Sequence, residues 1–313
     1  MTGAQQFCRE GHGFMCGGNF TSVAPQFTLD SPAKLNIFLE VRGKRADGFH
    51  ELETVMLRTQ FCDQLTFRAA ASSEIALSLS DATPSGMQSA IPTDDSNLIL
   101  RAAHALRQLS GTSAGAHIIL NKHIPPESGL GGGSSNAAAA LIGCRELWKV
   151  NISDEQLHAI AATLGSDINF LLSGVPAAVC RGRGELIEPI EVARKLYFVA
   201  LRPKAGNSTS GVFRRVQISD SPRSSTPLTE SLRTGTGDLN ALIFNRLVFA
   251  AAQLNSSMAA FLKRIPRIVG RPAFMSGSGS TVYVVANCLS DARFTAARLR
   301  DTCHVPVWIL ECG

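Results

Sequence analysis

The sequence lacks several features that would assign it to a function class. It has no apolar run as long as a membrane span, no run of basic residues, and no Cys-x-x-Cys pair among its eight cysteines. Its net charge of +5 is mild and is spread over 313 residues. We therefore expect a soluble, cytoplasmic protein with reduced thiols and no disulfide framework or zinc site, and with no nucleic acid or membrane as partner. The charge is compatible with an anionic small-molecule substrate.

Length and pattern indicate two domains after an N-terminal extension. Residues 1–26 contain many small and polar residues and no continuous hydrophobic segment, so we expect a disordered or loosely packed extension without a secretory signal. Regular patterns begin at Phe27, where strand-like runs dominate and helices and further strands follow. We predict an α+β protein with domains at 27–188 and 189–313.

Several local signals predict where helices begin and where the chain is irregular. Ser96 or Asn97 caps a helix that ends before Gly111, and Ser153 with Gln156 forms a capping box. The Ser/Thr-rich residues 219–236 predict a loop on the protein surface, and residues 240–262 predict one helix.

The chain is organised around a glycine-rich stretch with the sequence PPESGLGGGSSN, residues 125–136. It follows a predicted strand at 116–124 and precedes an alanine run at 137–140, which favours a helix. Its three consecutive glycines leave the backbone free to adopt positive φ and to approach a ligand closely. Backbone N–H groups and the positive end of the helix dipole would then face one point, which suits a polyphosphate.

Other interpretations of this stretch are less favoured. A flexible Gly/Ser linker would join domains, whereas this stretch is short and lies between a strand and a strong helix former. No Gly-Lys-Ser/Thr follows the glycines, so the stretch is not a Walker A loop. Because the glycines are consecutive, it is not a Rossmann fingerprint either.

Two ionisable residues are candidates for the rest of a phosphoryl-transfer site. Such a site needs a cradle for phosphate, a cation to offset charge, and a group that aligns or deprotonates the acceptor hydroxyl. Lys34 begins a predicted strand among apolar residues, and Asp167 lies in a tight loop after a helix. A single Lys or Asp is more often a solvated surface residue, so pattern alone does not assign either role.

Six short segments between Pro32 and Ser280 carry a resemblance to a known family. They are Pro32-Ala33-Lys34-Leu35-Asn36, Arg45-Ala46-Asp47-Gly48-Phe49-His50-Glu51-Leu52, Gly129-Leu130-Gly131-Gly132-Gly133-Ser134-Ser135-Asn136-Ala137-Ala138, Leu164-Gly165-Ser166-Asp167, Gly182-Arg183-Gly184-Glu185 and Met275-Ser276-Gly277-Ser278-Gly279-Ser280. The sequence thereby resembles the GHMP small-molecule kinases over most of its length. The glycine stretch marks the superfamily, and the first two segments mark one branch of it.

The resemblance implies a fold, a reaction and cofactors. The implied fold has a ribosomal-protein-S5-like N-terminal domain and a ferredoxin-like C-terminal domain, with ATP and substrate meeting in the cleft between them. The implied reaction is ATP-dependent phosphorylation, with Mg²⁺, of the 2-hydroxyl of 4-diphosphocytidyl-2-C-methyl-D-erythritol in non-mevalonate isoprenoid precursor synthesis. We expect a monomer or weak homodimer that takes this small-molecule substrate.

The resemblance also implies residue roles. Asp167 matches the general base, and Lys34 matches the lysine that lowers the pKa of the acceptor hydroxyl and orients it. The matching substrate positions are Asn36, Phe49, His50, Thr209 and Phe213, with aromatic rings and a histidine around the cytosine. Ser134 is the expected metal contact. The matching ATP-binding residues are Pro125, Pro126, Glu127, Ser128, Gly129, Leu130, Gly131, Gly132, Gly133, Ser134, Ser135 and Asn136.

Four positions depart from the family pattern, and three other functions stay open. Phe49 replaces a tyrosine, Glu127 a small residue, Asn169 a proline and Arg246 an aspartate. The alternatives are a GHMP kinase for homoserine, mevalonate or a sugar, a non-catalytic nucleotide sensor, and, least favoured, a basic nucleic-acid-binding module.

Overall fold

The computed structural model describes residues 26–313 of the chain. Apart from Gln26, which begins the first strand, the predicted extension lies outside the described residues. The elements up to residue 189 are β1 (Gln26–Lys44), β2 (His50–Ala69), β3 (Ile75–Leu79), α1 (Ser85–Gln88), α2 (Leu98–Ser110), β4 (Ala116–Asn121), α3 (Gly132–Trp148), α4 (Asp154–Leu164), α5 (Ile168–Ser173), β5 (Ala177–Gly182) and β6 (Leu186–Pro189). The later elements are β7 (Leu196–Leu201), α6 (Thr209–Phe213), α7 (Thr226–Thr234), α8 (Leu239–Leu242), β8 (Phe244–Asn245), α9 (Val248–Leu254), α10 (Ser256–Val269), β9 (Phe274–Met275), β10 (Val282–Ala286), α11 (Leu289–Cys303) and β11 (Val307–Cys312).

The strand β2 links the two halves of the chain. Its 20 residues pair antiparallel with β1, β4 and β5. Near its middle, Thr59 pairs with Cys312 of β11, and β11 continues through β7 and β10 to β9. The halves are therefore joined by backbone pairing as well as by the connecting chain.

Apolar packing on both sides of this sheet forms the core. Helices α2 and α3 bury Leu106 and Leu141 beside Phe67 of β2. A Cβ on Gly143 of α3 would lie 2.3 Å from the Phe67 ring, so this glycine allows the helix to approach the sheet. A second apolar cluster combines residues of both halves, among them Leu35 and Phe198. The predicted division at residues 188 and 189 stays a prediction.

The predicted helix starts are confirmed. The side chain of Asn97 accepts a hydrogen bond from the N–H of Ile99 and caps α2. Ser153 and Gln156 exchange both hydrogen bonds of a capping box at the start of α4. These signals are local, which is why the sequence displays them.

The predictions for residues 219–236 and 240–262 are wrong in part. The first range contains α7, whose Leu228 is buried in the core that both halves share. The second range is broken, because Phe244 and Asn245 leave the helical path and pair in parallel with Phe38 and Leu39 of β1. Both departures depend on partners far away in the sequence.

The cysteines within residues 26–313 carry free thiols. Burial raises the pKa of the Cys144 thiol to about 12, and burial followed by the charge of Asp167 raises the pKa of Cys180 to about 12. These two thiols are therefore protonated at neutral pH. No helix in the described part of the chain combines the length and apolar character needed to cross a membrane.

A buried ion pair fixes the chain just before the glycine-rich stretch. Lys122 is 4% exposed and donates to Asp63 of β2, which is fully buried. The other carboxylate oxygen of Asp63 accepts hydrogen bonds of 2.7 Å from the N–H groups of His123 and Ile124. The pair thus holds three consecutive residues at the end of β4 against the neighbouring strand.

We expect Asp63→Asn to destabilise the protein strongly. It would leave the Lys122 ammonium buried beside a neutral amide, and the loss of one partner of a buried pair costs about 3–5 kcal/mol of the free energy of unfolding. Urea denaturation measures this change. The matched control is Asp30→Asn on the exposed end of β1, which we expect to change stability by less than about 0.5 kcal/mol. Equal losses in the two variants would contradict the role given to Asp63.

Candidate active site

One cleft of about 870 Å³ gathers most of the predicted site residues. Its walls are the glycine loop (residues 125–136), the turn between β1 and β2, the start of α6, and the turn between β9 and β10. The predicted residues that line it are Lys34, Asn36, Phe49, His50, Pro125, Pro126, Glu127, Ser128, Gly129, Gly131, Gly132, Gly133, Ser134, Asp167, Thr209 and Phe213. Three others lie behind the wall: Leu130 is in the apolar core, and Ser135 and Asn136 are hydrogen-bonded to the Ser31 hydroxyl at 2.8 and 2.7 Å.

The glycine loop passes through three residues with positive φ, Glu127, Gly129 and Gly131, and then enters α3. Gly129 and Gly131 have φ values of +79° and +71°, a region that favours glycine. The expectation of positive φ is wrong for Gly132 and Gly133, which form the first residues of α3. The helix therefore begins inside the triple glycine, and its first residues, Gly132, Gly133 and Ser134, line the cleft.

Close packing, rather than backbone conformation, explains why Gly132 has no side chain. A Cβ there would lie 2.8 Å from the Lys122 ammonium and 2.9 Å from Ile124. At Gly131 both causes apply, since its φ is +71° and a Cβ there would lie 2.8 Å from Cγ of Lys34. The glycine loop thus lies directly on two buried lysine side chains.

Lys34 and Asp167 meet in the cleft beside the glycine loop. The distance between Lys34 Nζ and Asp167 Oδ2 is 3.2 Å. Lys34 comes from β1, where its backbone N–H donates to the Leu130 carbonyl at 2.9 Å, and Asp167 is the residue that precedes α5. Lys34 is buried, whereas the Asp167 side chain is 28% exposed and can reach a bound molecule. Two candidate residues 133 positions apart in the sequence therefore lie together in the cleft as a charged centre, and their catalytic roles stay predictions.

Asn36 connects this centre to the turn between β9 and β10. Its Oδ1 accepts from Lys34 Nζ, and its Nδ2 donates to Thr54 Oγ1 at 2.8 Å. The Asn36 N–H donates to Ser276 Oγ at 3.2 Å, and the Ser276 hydroxyl donates to the Gly129 carbonyl at 2.9 Å. Ser276 therefore joins the two glycine-containing loops on either side of Lys34.

The other end of the cleft is aromatic. The rings of His50 and Phe213 are 5.3 Å apart, and Phe49 is 51% exposed. Burial and the charge of Lys44 lower the pKa of His50, so its imidazole is neutral at pH 7, with one donor and one acceptor nitrogen. The expected substrate positions are thus close together, although Phe213 packs on His50 rather than opposite Phe49. Thr209 Oγ1 lies 3.0 Å from Ser278 Oγ at the same wall.

Two of the four departures from the family pattern have partners that explain them. Both oxygens of Glu40, a fully buried residue, accept from Arg246, at 2.7 and 2.8 Å. Although burial raises the pKa of Glu40, hydrogen bonds from Arg246, Arg223 and Val41 outweigh it and hold that pKa below its usual value. Asn169 forms a 3.0 Å hydrogen bond with His158.

The other two departures lie in the cleft. Phe49 keeps an aromatic face there, and its ring is covered on one side by the Arg183 guanidinium, 4.8 Å from the ring centre. Glu127 has a φ of +51°, and its carboxylate lies close to Gly206, a residue that also adjoins Arg202.

Sequence reasoning missed several supporting residues of the site. Asn245 donates to the carbonyls of Met275 and Gly277 at 2.9 and 2.8 Å and shapes the turn between β9 and β10. The Tyr283 hydroxyl donates to the Asn36 carbonyl at 3.0 Å. Asn245 lies in the range 240–262, which was predicted to be one helix. Tyr283 follows the segment 275–280, which carries part of the family resemblance.

Comparison with known proteins identifies the family. Residues 97–182 match the family model described as GHMP kinases N terminal domain. A 4-diphosphocytidyl-2-C-methyl-D-erythritol kinase of Pelotomaculum thermopropionicum is 37% identical over 273 residues, which cover 86% of this chain and 92% of the relative. One of Shouchella clausii is 31% identical over 280 residues, covering 89% and 92%.

Solved structures agree on the fold. A crystal structure of 4-(cytidine 5'-diphospho)-2C-methyl-D-erythritol kinase has a TM-score of 0.73 and 30% identity, covering 92% of this chain and 99% of that one. A homoserine kinase from Cytophaga hutchinsonii has a TM-score of 0.67 and 14% identity, covering 95% and 97%, and shows the fold alone. The predicted α+β GHMP kinase fold is confirmed. The chain belongs to the 4-diphosphocytidyl-2-C-methyl-D-erythritol kinases of the GHMP kinase family.

Proposed function

We propose that this kinase transfers the γ-phosphoryl group of ATP to the 2-hydroxyl of 4-diphosphocytidyl-2-C-methyl-D-erythritol, a step of non-mevalonate isoprenoid precursor synthesis. The observation that carries the proposal is the 3.2 Å contact between Lys34 Nζ and Asp167 Oδ2. This pair lines the same cleft as the glycine loop and the aromatic wall formed by Phe49, His50 and Phe213.

Asp167, Lys34 and the start of α3 each have a separate proposed role in the reaction. Asp167 accepts the proton of the acceptor hydroxyl while the new O–P bond forms and the bond to the leaving ADP breaks. The Lys34 ammonium, beside Asp167, orients that hydroxyl and stabilises negative charge as it develops on the oxygen. The N–H groups at the start of α3 hold the terminal phosphates of ATP. Lys34 is itself held by Asn36, so the cation is positioned before substrate binds.

The donor set of the cleft fits Mg²⁺ bound mainly through ATP. Within the described residues, no group of three or more His, Cys, Asp or Glu side chains could hold a metal ion alone. Mg²⁺ in kinases is commonly held by one or two protein oxygens together with phosphate oxygens, and Ser134 in the first turn of α3 offers such an oxygen. When bound, the ion neutralises charge on the phosphates.

The two predicted domains have different proposed roles in the cleft. Residues 27–188 supply the glycine loop, Lys34 and Asp167 and bind ATP, and residues 189–313 contribute Thr209 and Phe213 to the acceptor site. The proposed reaction uses residues of one chain alone and requires no second subunit, and we propose a monomer or weak homodimer. The free thiols of the described chain support a reducing, cytoplasmic location.

A coupled assay for ADP release tests the proposed acceptor. We expect turnover with 4-diphosphocytidyl-2-C-methyl-D-erythritol and none with acceptors that lack the cytidine group, including homoserine and mevalonate. The aromatic wall would have no ring to bind in those smaller acceptors. Equal rates with mevalonate or homoserine would contradict the proposed substrate, and ATP binding without transfer to any acceptor would indicate a nucleotide sensor.

Substitution of the charged centre tests the mechanism. We expect Asp167→Asn and Lys34→Ala each to lower kcat by about 10²–10⁴-fold, because each removes a group that acts on the transferring proton or its oxygen. For Asp167→Asn, the dissociation constant for ATP, measured by calorimetry, should stay roughly unchanged. Asp154→Asn, at the exposed start of α4, is the matched control and should retain full activity. Full activity of either cleft variant would refute its assigned role.

The packing of the glycine loop predicts the effect of a side chain at its centre. Gly132→Val would place a branched side chain against Lys122 and Ile124 and displace the loop, so we expect the dissociation constant for ATP to rise by about tenfold or more. Gly86→Val is the control, since a Cβ there meets no atom within 4 Å. Calorimetric titration of both variants with ATP measures the difference. Unchanged affinity in the Gly132 variant would exclude this loop as the phosphate site.

A further inference from the structure

Arg183 is a charged residue of the cleft that the proposed mechanism does not use. It lies in the turn between β5 and β6, where Gly182 and Gly184 have φ values of +72° and +121°. The turn packs on the loop that carries Asp167, because a Cβ on Gly184 would lie 3.4 Å from the Ser166 carbonyl oxygen. Arg183 lines the cleft, and its turn contacts the residue that precedes Asp167.

The guanidinium of Arg183 is held in place but keeps donors for a ligand. Its Nη2 donates to the Ala162 carbonyl at 2.7 Å, and its plane lies over the Phe49 ring. Glu185 is 3.8 Å from Nε, beyond hydrogen-bond distance, and its carboxylate accepts the Arg183 backbone N–H instead. Within residues 26–313 the Ala162 contact is the one hydrogen bond that this guanidinium donates, and a guanidinium carries five N–H donors.

The acceptor substrate places an anion at this point of the cleft. Its diphosphate connects the cytidine to the methylerythritol, so it must lie between the group that binds cytosine and the group that binds the reacting hydroxyl. Arg183 contacts Phe49 at the aromatic end, and its turn contacts Ser166, the neighbour of Asp167, at the catalytic end. It therefore spans the stretch of cleft that the diphosphate has to occupy.

We propose that Arg183 binds the diphosphate of the acceptor and forms a subsite separate from the ATP phosphate loop. The inference rests on the proposed function. A guanidinium presents its donors as a planar fork that matches phosphate oxygens, and the Ala162 and Phe49 contacts fix the orientation of that fork. Lys34 does not provide this subsite, since its ammonium is already engaged by Asn36 and Asp167.

Steady-state kinetics test the subsite. We expect Arg183→Ala to raise the KM for the cytidine diphosphate-linked acceptor about tenfold, because it removes a charge-assisted hydrogen bond at a partly exposed position. The kcat and the KM for ATP should stay nearly unchanged. Arg183→Lys should recover part of the loss. Arg181→Ala is the matched control: it removes the same charge two residues away, where the side chain is 46% exposed and pairs with Glu188. A parallel rise in the KM for ATP, or a fall in melting temperature without a change in acceptor KM, would overturn the inference.

A binding experiment separates this inference from the proposed function. Calorimetry with CDP and with cytidine is carried out while a non-hydrolysable ATP analogue saturates the nucleotide site. We expect the wild-type protein to bind CDP about tenfold more tightly than cytidine, and Arg183→Ala to lose this preference. An unchanged preference in the variant, or no preference in the wild-type protein, overturns the subsite. A different result would overturn the proposed reaction alone. In that case the wild-type protein would not phosphorylate the acceptor, but it would still prefer CDP, and the preference would still depend on Arg183.

Discussion

The packing of two glycine-containing loops around the side chain of Lys34 is the constraint on which the site depends. A Cβ on Gly131 would collide with the stem of this lysine, and one on Gly277 would come within 3.2 Å of its ammonium. The loops also contact each other, since a Cβ on Gly129 would lie 2.4 Å from the Ser276 carbonyl oxygen. The lysine is therefore packed between the backbones of two loops, while its ammonium contacts the side chains of Asn36 and Asp167.

Buried carboxylates connect the segment that follows α6 to strands β1 and β2. Glu53 of β2 accepts from the Ser225 N–H at 2.7 Å and from Arg42 at 2.9 Å, and Glu40 of β1 accepts from the Arg223 N–H at 2.9 Å. These contacts attach the segment after α6 to the hairpin that carries His50 at its turn. The aromatic wall therefore combines two distant parts of the chain that buried hydrogen bonds also connect elsewhere.

Sequence reasoning succeeded where the cause was local and failed where it was distant. A capping box and a strand–glycine–helix transition are each defined by neighbouring residues, so α4 and the start of α3 could be predicted. The pairing of Phe244 with Phe38 joins positions about 200 residues apart, and no local pattern displays it. The positions of Lys34 and Asp167 followed from family resemblance, because neither residue has a periodic context. Arg183 stood within a marked segment, but its direction toward Phe49 required the folded structure.

The pair formed by Glu40 and Arg246 has a consequence for sequence divergence. The two oxygens of Glu40 receive N–H groups from Val41, Arg223 and Arg246, so the carboxylate is saturated while it is excluded from water. If Arg246 alone were replaced by an acidic residue, two negative charges would lie together at a buried site. If Glu40 alone were replaced, the Arg246 guanidinium would lose the carboxylate that balances its charge. We therefore expect homologues with an acidic residue at position 246 to carry a neutral or basic residue at position 40, so that the two positions change together.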